Sequence, residues 1–190
     1  MLFSLNTYLL NDKLVDMNKL IILSGVPGSG KSYFSNTIKK IKNSHVYIVS
    51  SDQLRKEITG SQSNLYAEDL MWKMFYSLAK TYSLDKDGIV ILDATHVSSY
   101  LRVDKNLELK PLFDQTILVM WNTDRQLVSN QNLQREYPIP PEALDKFFSI
   151  FELPTDKDRE FFDKILMVTN NDIAPIIEEL DLGLSKDMPQ

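Results

Sequence analysis

Eight residues, Gly25-Val26-Pro27-Gly28-Ser29-Gly30-Lys31-Ser32, restrict the folds open to this chain more than anything else in the sequence. An apolar run, Leu20–Ser24, precedes them, and Phe34, Ile38 and Ile41 follow at helical spacing. A glycine-rich turn between a buried strand and a helix, closed by Lys-Ser, turns backbone N–H groups onto an anion. Gly25, Gly28 and Gly30 allow that turn with no Cβ in the way, and the helix N-terminus adds partial positive charge. In such a cradle, which Pro27 and Ser29 complete, Lys31 reaches the β- and γ-phosphates of ATP or GTP, and the Ser32 hydroxyl binds Mg²⁺. A turn that binds nothing would not require strand, loop, Lys-Ser and helix to agree. A dinucleotide-binding turn does not fit, because Tyr33 stands where its third glycine belongs.

Beyond the loop, apolar runs alternate with helical patterns, the signature of βα units and a parallel sheet. Strands are expected at Leu20–Ser24, Val46–Ser50, Ile89–Leu92, Thr116–Trp121 and Ile165–Val168, each short enough and apolar enough to be buried on both faces. Leu70, Met74, Leu78 and Tyr82 form a stripe read as core packing. Asn171–Asp172 can cap a last helix with Pro175 in its first turn. Residues 124–163 carry two helical patterns split by Pro138-Ile139-Pro140-Pro141, with the first helix expected to stop near Tyr137. This segment reads as a helical lid over the nucleotide. The expected fold is α/β: a five-stranded parallel sheet of the P-loop NTPase type, flanked by helices and topped by a lid. Residues 1–17 read as an N-terminal extension, with Met17 an alternative start, and 18–190 as one domain.

Composition removes several classes of function. With no cysteine, disulfides, thiolate metal sites and a Cys nucleophile are excluded. With His45 and His96 the only histidines, a multi-His metal site is excluded. The net charge of −5 means that a nucleic acid must be gripped locally, at an end or over a few nucleotides. The longest apolar runs are strand-sized, so no membrane span is expected. No signal peptide is read at the start, and the expected location is the cytoplasm.

Two strand ends carry candidate chemistry. Ser51-Asp52-Gln53-Leu54-Arg55 follows the second strand, and Asp52 and Arg55, three apart on a helix, share a face. Asp52 can accept the proton of an attacking hydroxyl while Arg55 holds a nearby phosphate. Equally, Asp52 can cap the helix and Arg55 be a surface charge. Asp93 ends the third strand, where an acid near a phosphate loop supports Mg²⁺ or its water shell, or else merely caps the strand. Thr95-His96 follow, and His96 can touch substrate or satisfy a loop. In the lid, Arg125, Gln131 and Arg135 are candidates, with an arginine there able to neutralise charge on a transferring phosphoryl group, or to be a solvated side chain.

Taken in order, the loop Gly25–Ser32, Ser51-Asp52-x-x-Arg55, Asp93-Ala94-Thr95-His96 with Arg102 six residues on, and a lid ending in Arg135 resemble the kinase domain of phage and bacterial polynucleotide 5′-kinases over about residues 18–180. Glu152-Leu153-Pro154 and Glu160-Phe161-Phe162-Asp163-Lys164-Ile165 are similar to segments of small P-loop kinases more widely. The resemblance implies ATP·Mg²⁺ as donor, Asp52 as general base, Arg55 on the substrate phosphate with Thr95 and Arg102 on the acceptor side, and Arg135 on the ATP phosphates. Two positions depart from the family: His96 stands where an Asn is common, and Gln131 where a further lid arginine is common. No phosphatase segment of the Asp-x-Asp-x-Thr kind is present, so a kinase standing alone is expected. The leading acceptor is the 5′-hydroxyl of DNA or RNA, with a role in nucleic-acid repair. The alternatives are a nucleoside, a modified base or another small hydroxyl-bearing substrate, or a nucleotide-binding regulatory module with little transfer activity. Oligomeric state is not readable.

Overall fold

Five parallel strands carry the protein, described by a computed structural model over residues 17–42, 44–135, 138–180 and 182. They are β1 (Lys19–Ser24), β2 (Val46–Ser50), β3 (Ile89–Asp93), β4 (Gln115–Trp121) and β5 (Lys164–Val168), in the spatial order β2-β3-β1-β4-β5. All five expected strands are found, with ends shifted by at most one residue. All five residues of β3 are buried, and β1 and β4 are buried after their first residue, which is why these strands read as unbroken apolar runs.

Alternation along the strands divides the core in two. Leu20, Ile22, Val90, Leu92, Leu118 and Met120 pack under α2 (Ser51–Thr59), α3 (Glu68–Tyr82) and α7 (Asp156–Phe161) through Leu54, Met71, Phe75, Ala79 and Phe161. Ile21, Leu23, Ile89, Ile91, Ile117, Val119 and Trp121 pack under α1 (Lys31–Lys42) and α8 (Ala174–Glu179) through Phe34, Ile38 and Ile176. Because β1 lies between β3 and β4, connections leave the sheet centre in opposite directions, and the crevice this opens lies at the carboxyl ends of the strands.

The expected stripe on α3 is corrected by one residue. Leu70 and Met74 are exposed, and the core face is Met71, Phe75 and Ala79, with Leu78 and Tyr82 partly buried. One residue is 100° of helix rotation, and α3 is apolar over so wide an arc that spacing does not fix its phase. At α8 the N-cap is Ile173 rather than Asn171, although Asp172 Oδ1 accepts the N–H of Ala174 at 3.1 Å.

Residues 124–163 form α5 (Arg125–Leu133), α6 (Pro141–Ser149) and α7. The first of these ends at Leu133, before the prolines; Tyr137 lies outside the described residues, as does the expected extension up to residue 16. Val128 of α5 and Leu144 of α6 pack on Val26 of the glycine loop. Asn132 staples the α5–α6 connection, its side chain donating to the Ile139 carbonyl at 2.8 Å and accepting the Ile139 N–H at 2.9 Å. The stretch from Glu152 onward belongs to the body instead: Glu152 N–H donates to the Val97 carbonyl at 2.8 Å, and Asp158 of α7 is ion-paired to a fully buried Arg102.

Candidate functional site

The glycine loop leaves β1 at the centre of the crevice and enters α1 at Lys31. Gly25 donates its N–H to the Thr95 carbonyl at 2.9 Å, which binds the loop to the segment after β3. A Cβ on Gly25 would lie 2.8 Å from Ser29 Oγ and 3.0 Å from Trp121 Cβ, so only glycine fits against the end of β4. Gly28 and Gly30 adopt φ of 85° and 102°, the left-handed region that glycine enters at no steric cost. Pro27 and Ser29 are buried in the turn.

Lys31 is buried, and its Nζ folds back over the loop onto the carbonyls of Gly25 and Val26, each at 2.9 Å. Burial pulls its pKa down to about 8, with Asp93 and Asp52 opposing that shift and Arg135 adding to it. These three side chains therefore act on the ammonium from β3, from α2 and from the end of α5. Asp93 is itself buried at the end of β3. Burial raises its pKa, against the attraction of Lys31 and hydrogen bonds from the Ser32 and Ser35 hydroxyls. One carboxylate beside one hydroxyl at a phosphate cradle suits Mg²⁺, which is held by one or two protein oxygens together with phosphates and water.

Asp52 sits in the first turn of α2, but it is not the cap. Ser50 caps the helix, its Oγ accepting the Gln53 N–H at 3.3 Å, and Asp52 is left half-exposed at the carboxyl end of β2. Arg55 Nη1 donates to Asp52 Oδ1 at 2.8 Å, so the expected shared face is real. Arg135 Nη2 stands 3.9 Å from Asp52 Oδ2. No local pattern signals Glu68, which takes the other edge of the Arg55 fork at 2.6 Å and 3.3 Å. Arg55 thus lies between two carboxylates. Its burial would lower its pKa, but the two acids, Glu68 first, raise it overall.

The structure therefore brings Lys31, Ser32, Asp52, Arg55, Asp93, Thr95 and Arg135 to one end of the sheet. It does not bring Arg102 there, and that expectation is corrected. Arg102 is 0% exposed; its Nε and Nη2 donate to Asp158 at 2.6 Å and 2.9 Å, and Nη1 to the carbonyls of Val97 and Glu152. All its donors face inward, so it locks α7 and the Glu152 turn to α4 (Ser99–Arg102) and cannot hold an acceptor. Of the arginines expected in the lid, Arg125 pairs with Asp145 of α6, and Arg135 lies just past the end of α5 rather than on it. The Gln131 Oε1 is buried without a hydrogen-bond partner among the described residues. His96, at φ 36°, is buried, and its Nδ1 lies 2.9 Å from the Leu23 carbonyl. Burial lowers its pKa to about 4, which keeps the ring neutral near pH 7.

Residues 20–154 match the AAA domain family. Protein kti12 of Schizosaccharomyces pombe is 27% identical over 154 residues, which are 74% of this chain and 53% of that protein; the chain spans about half the length of this curated relative. Among solved structures, Chaetomium thermophilum Kti12 in complex with ADP-AlF3 superposes with a TM-score of 0.65 at 16% identity, over 87% of this chain and 99% of that one. A fungal RNA kinase superposes with a TM-score of 0.63 at 17% identity, over 93% and 92%. Shikimate kinase from Acinetobacter baumannii in complex with shikimate gives 0.55 at 15%, over 93% and 98%. At such identities the structural likeness is one of fold, and it is the fold of P-loop kinases.

Proposed function

The chain belongs to the AAA domain family, and from that premise we propose that it is an ATP-dependent kinase whose acceptor is a hydroxyl, the 5′-hydroxyl of DNA or RNA in the first instance. The observation that carries this reading is Asp52: an exposed carboxylate that caps nothing, clamped between Arg55 and Arg135 and acting on the buried Lys31. A nucleotide-binding module without transfer would need no such carboxylate at the mouth of its cradle.

In the proposed reaction the acceptor oxygen attacks the γ-phosphorus of ATP. A new P–O bond forms, the bond from that phosphorus to the β,γ-bridging oxygen breaks, ADP leaves, and the hydroxyl proton passes to Asp52. Gly25, Pro27, Gly28, Ser29, Gly30 and Lys31 hold the donor phosphates. Ser32 and Asp93 would hold Mg²⁺, which neutralises phosphate charge. Arg55 keeps the Asp52 carboxylate in place and, with Thr95, faces the acceptor. Arg135 neutralises charge on the phosphoryl group in transfer. The fold is shared with an RNA kinase, which supports a polynucleotide acceptor, and with a shikimate kinase, which favours a small hydroxyl compound as the second reading.

A screen with γ-labelled ATP separates the two. Oligonucleotides with 5′-hydroxyl ends, nucleosides, and small polyols and hydroxy acids are offered in parallel. Label on oligonucleotide 5′ ends supports the first reading; label on small hydroxyl compounds alone replaces it with the second.

A further inference from the structure

A cavity of about 620 Å³ opens beside the site, between α3 and the segment after β3. Trp72 and Tyr76 lie in its wall with nearly parallel rings, 27° apart, each partly buried against the core. Lys73, Lys80 and Lys105 also line it, against a single carboxylate, Asp69. Lys80 is engaged by Glu108 at 2.5 Å, whereas among the described residues Lys73 and Lys105 have no carboxylate partner. Three lysines gathered on one face of a chain with net charge −5 need a reason, and aromatic rings among them narrow it. Flat faces interleaved with cations are what a single-stranded nucleic acid requires: bases stack on the rings and phosphates meet the ammonium groups.

The cavity also adjoins the proposed chemistry at two points. Thr95 lines it while accepting the Gly25 N–H, and Asp69 lines it next to Glu68, which holds Arg55. We infer that this cavity is a nucleotide-recognition subsite, in which Trp72 and Tyr76 stack a base of a single-stranded acceptor and Lys73 and Lys105 contact its phosphates. The inference rests on the polynucleotide reading above and deepens it: the terminal hydroxyl goes to Asp52 and a neighbouring base to the cavity. A small hydroxy acid would have no use for these rings.

The test uses 3′-fluorescein-labelled (rU)6 and (dT)6 with free 5′-hydroxyls, binding followed by anisotropy without ATP, and phosphorylation measured in parallel. Tyr76→Ala and Trp72→Ala are expected to raise Kd by about five- to a hundred-fold, the loss typical of removing one stacking surface. Because Trp72 also packs on the core, Lys73→Ser/Lys105→Ser serves as a variant confined to exposed positions; it should weaken binding several-fold and flatten its salt dependence. Binding that is indifferent to all these variants while 5′ ends are phosphorylated overturns the subsite and leaves the kinase reading intact. Binding lost in the variants without phosphorylation of any 5′ end supports the subsite and overturns the 5′-hydroxyl as the acceptor. No hexamer binding by the unaltered protein overturns the subsite, and phosphorylation alone then decides the reading.

Discussion

Asp52 Oδ2 and Arg135 Nη2 lie 3.9 Å apart, joining the first turn of α2 to the residue just beyond α5. The pair ties the end of α5 to the first turn of α2 at the mouth of the phosphate cradle. It also sets the proposed general base under cationic control from both sides, since Arg55 holds its other oxygen at 2.8 Å.

If Asp52 takes the proton, Asp52→Asn should lower kcat by about 10²- to 10⁴-fold. Ser50 caps α2, so the same substitution should leave melting temperature and ATP affinity nearly unchanged. Steady-state kinetics beside calorimetric titration of ATP checks this. A variant with near-normal kcat would return Asp52 to the status of a surface charge.

Nucleotide affinity should fall as pH rises through about 8. Lys31 has its pKa drawn down to about 8 in the ligand-free protein, and only its protonated form pairs with phosphate. Above that pH each further unit should cost up to about tenfold in affinity, until the pKa of the bound complex is reached. Lys31→Ala should bind ATP weakly and without this pH dependence. Titrations at pH 7, 8 and 9 on both proteins give the comparison.

The buried Arg102–Asp158 pair predicts a stability effect with no direct catalytic part. Asp158→Asn strands a buried guanidinium and should cost about 3–5 kcal/mol. Asp158 has its pKa lowered from 3.8 to about 2, because Arg102 and the Thr155 N–H and hydroxyl outweigh its burial. A depressed carboxylate stabilises the fold above its unfolded pKa and stops doing so as pH falls through the folded one. The gap in urea midpoint between the two proteins should therefore hold down to about pH 4 and close towards pH 2.

The lid should divide at Ser149–Glu152. We expect α5 and α6, which rest on Val26 of the glycine loop, to gain protection from hydrogen exchange when ATP binds, and α7 to exchange alike with and without it. Asn132→Ala, which removes both bonds of the staple to Ile139, should raise exchange in α5–α6 and raise KM for ATP. Equal protection along 124–163 would mean that the whole segment moves as one.

The strands and the phosphate cradle were legible from the sequence because both are local. A strand buried on both faces is an unbroken apolar run, as Ile89–Asp93 is, and the cradle needs its glycines, Lys31 and Ser32 in one contiguous stretch. The Asp52–Arg55 pair was legible for the same reason, since helical spacing alone puts the two side chains on one face. What remained hidden depends on partners far apart in the chain. Arg102 has the spacing of a substrate ligand, and only the docking of α7, with Asp158, turns it inward. Glu68 comes to Arg55 because α3 packs beside α2. The phase of α3 was undetermined while Leu70, Met71, Met74 and Phe75 were all apolar; the sheet chose Met71 and Phe75, and that choice turned Trp72 and Tyr76 into the wall of a cavity. Periodicity says that a helix has an apolar arc, but packing against a particular surface decides which part of the arc is covered and which part is left to meet a ligand.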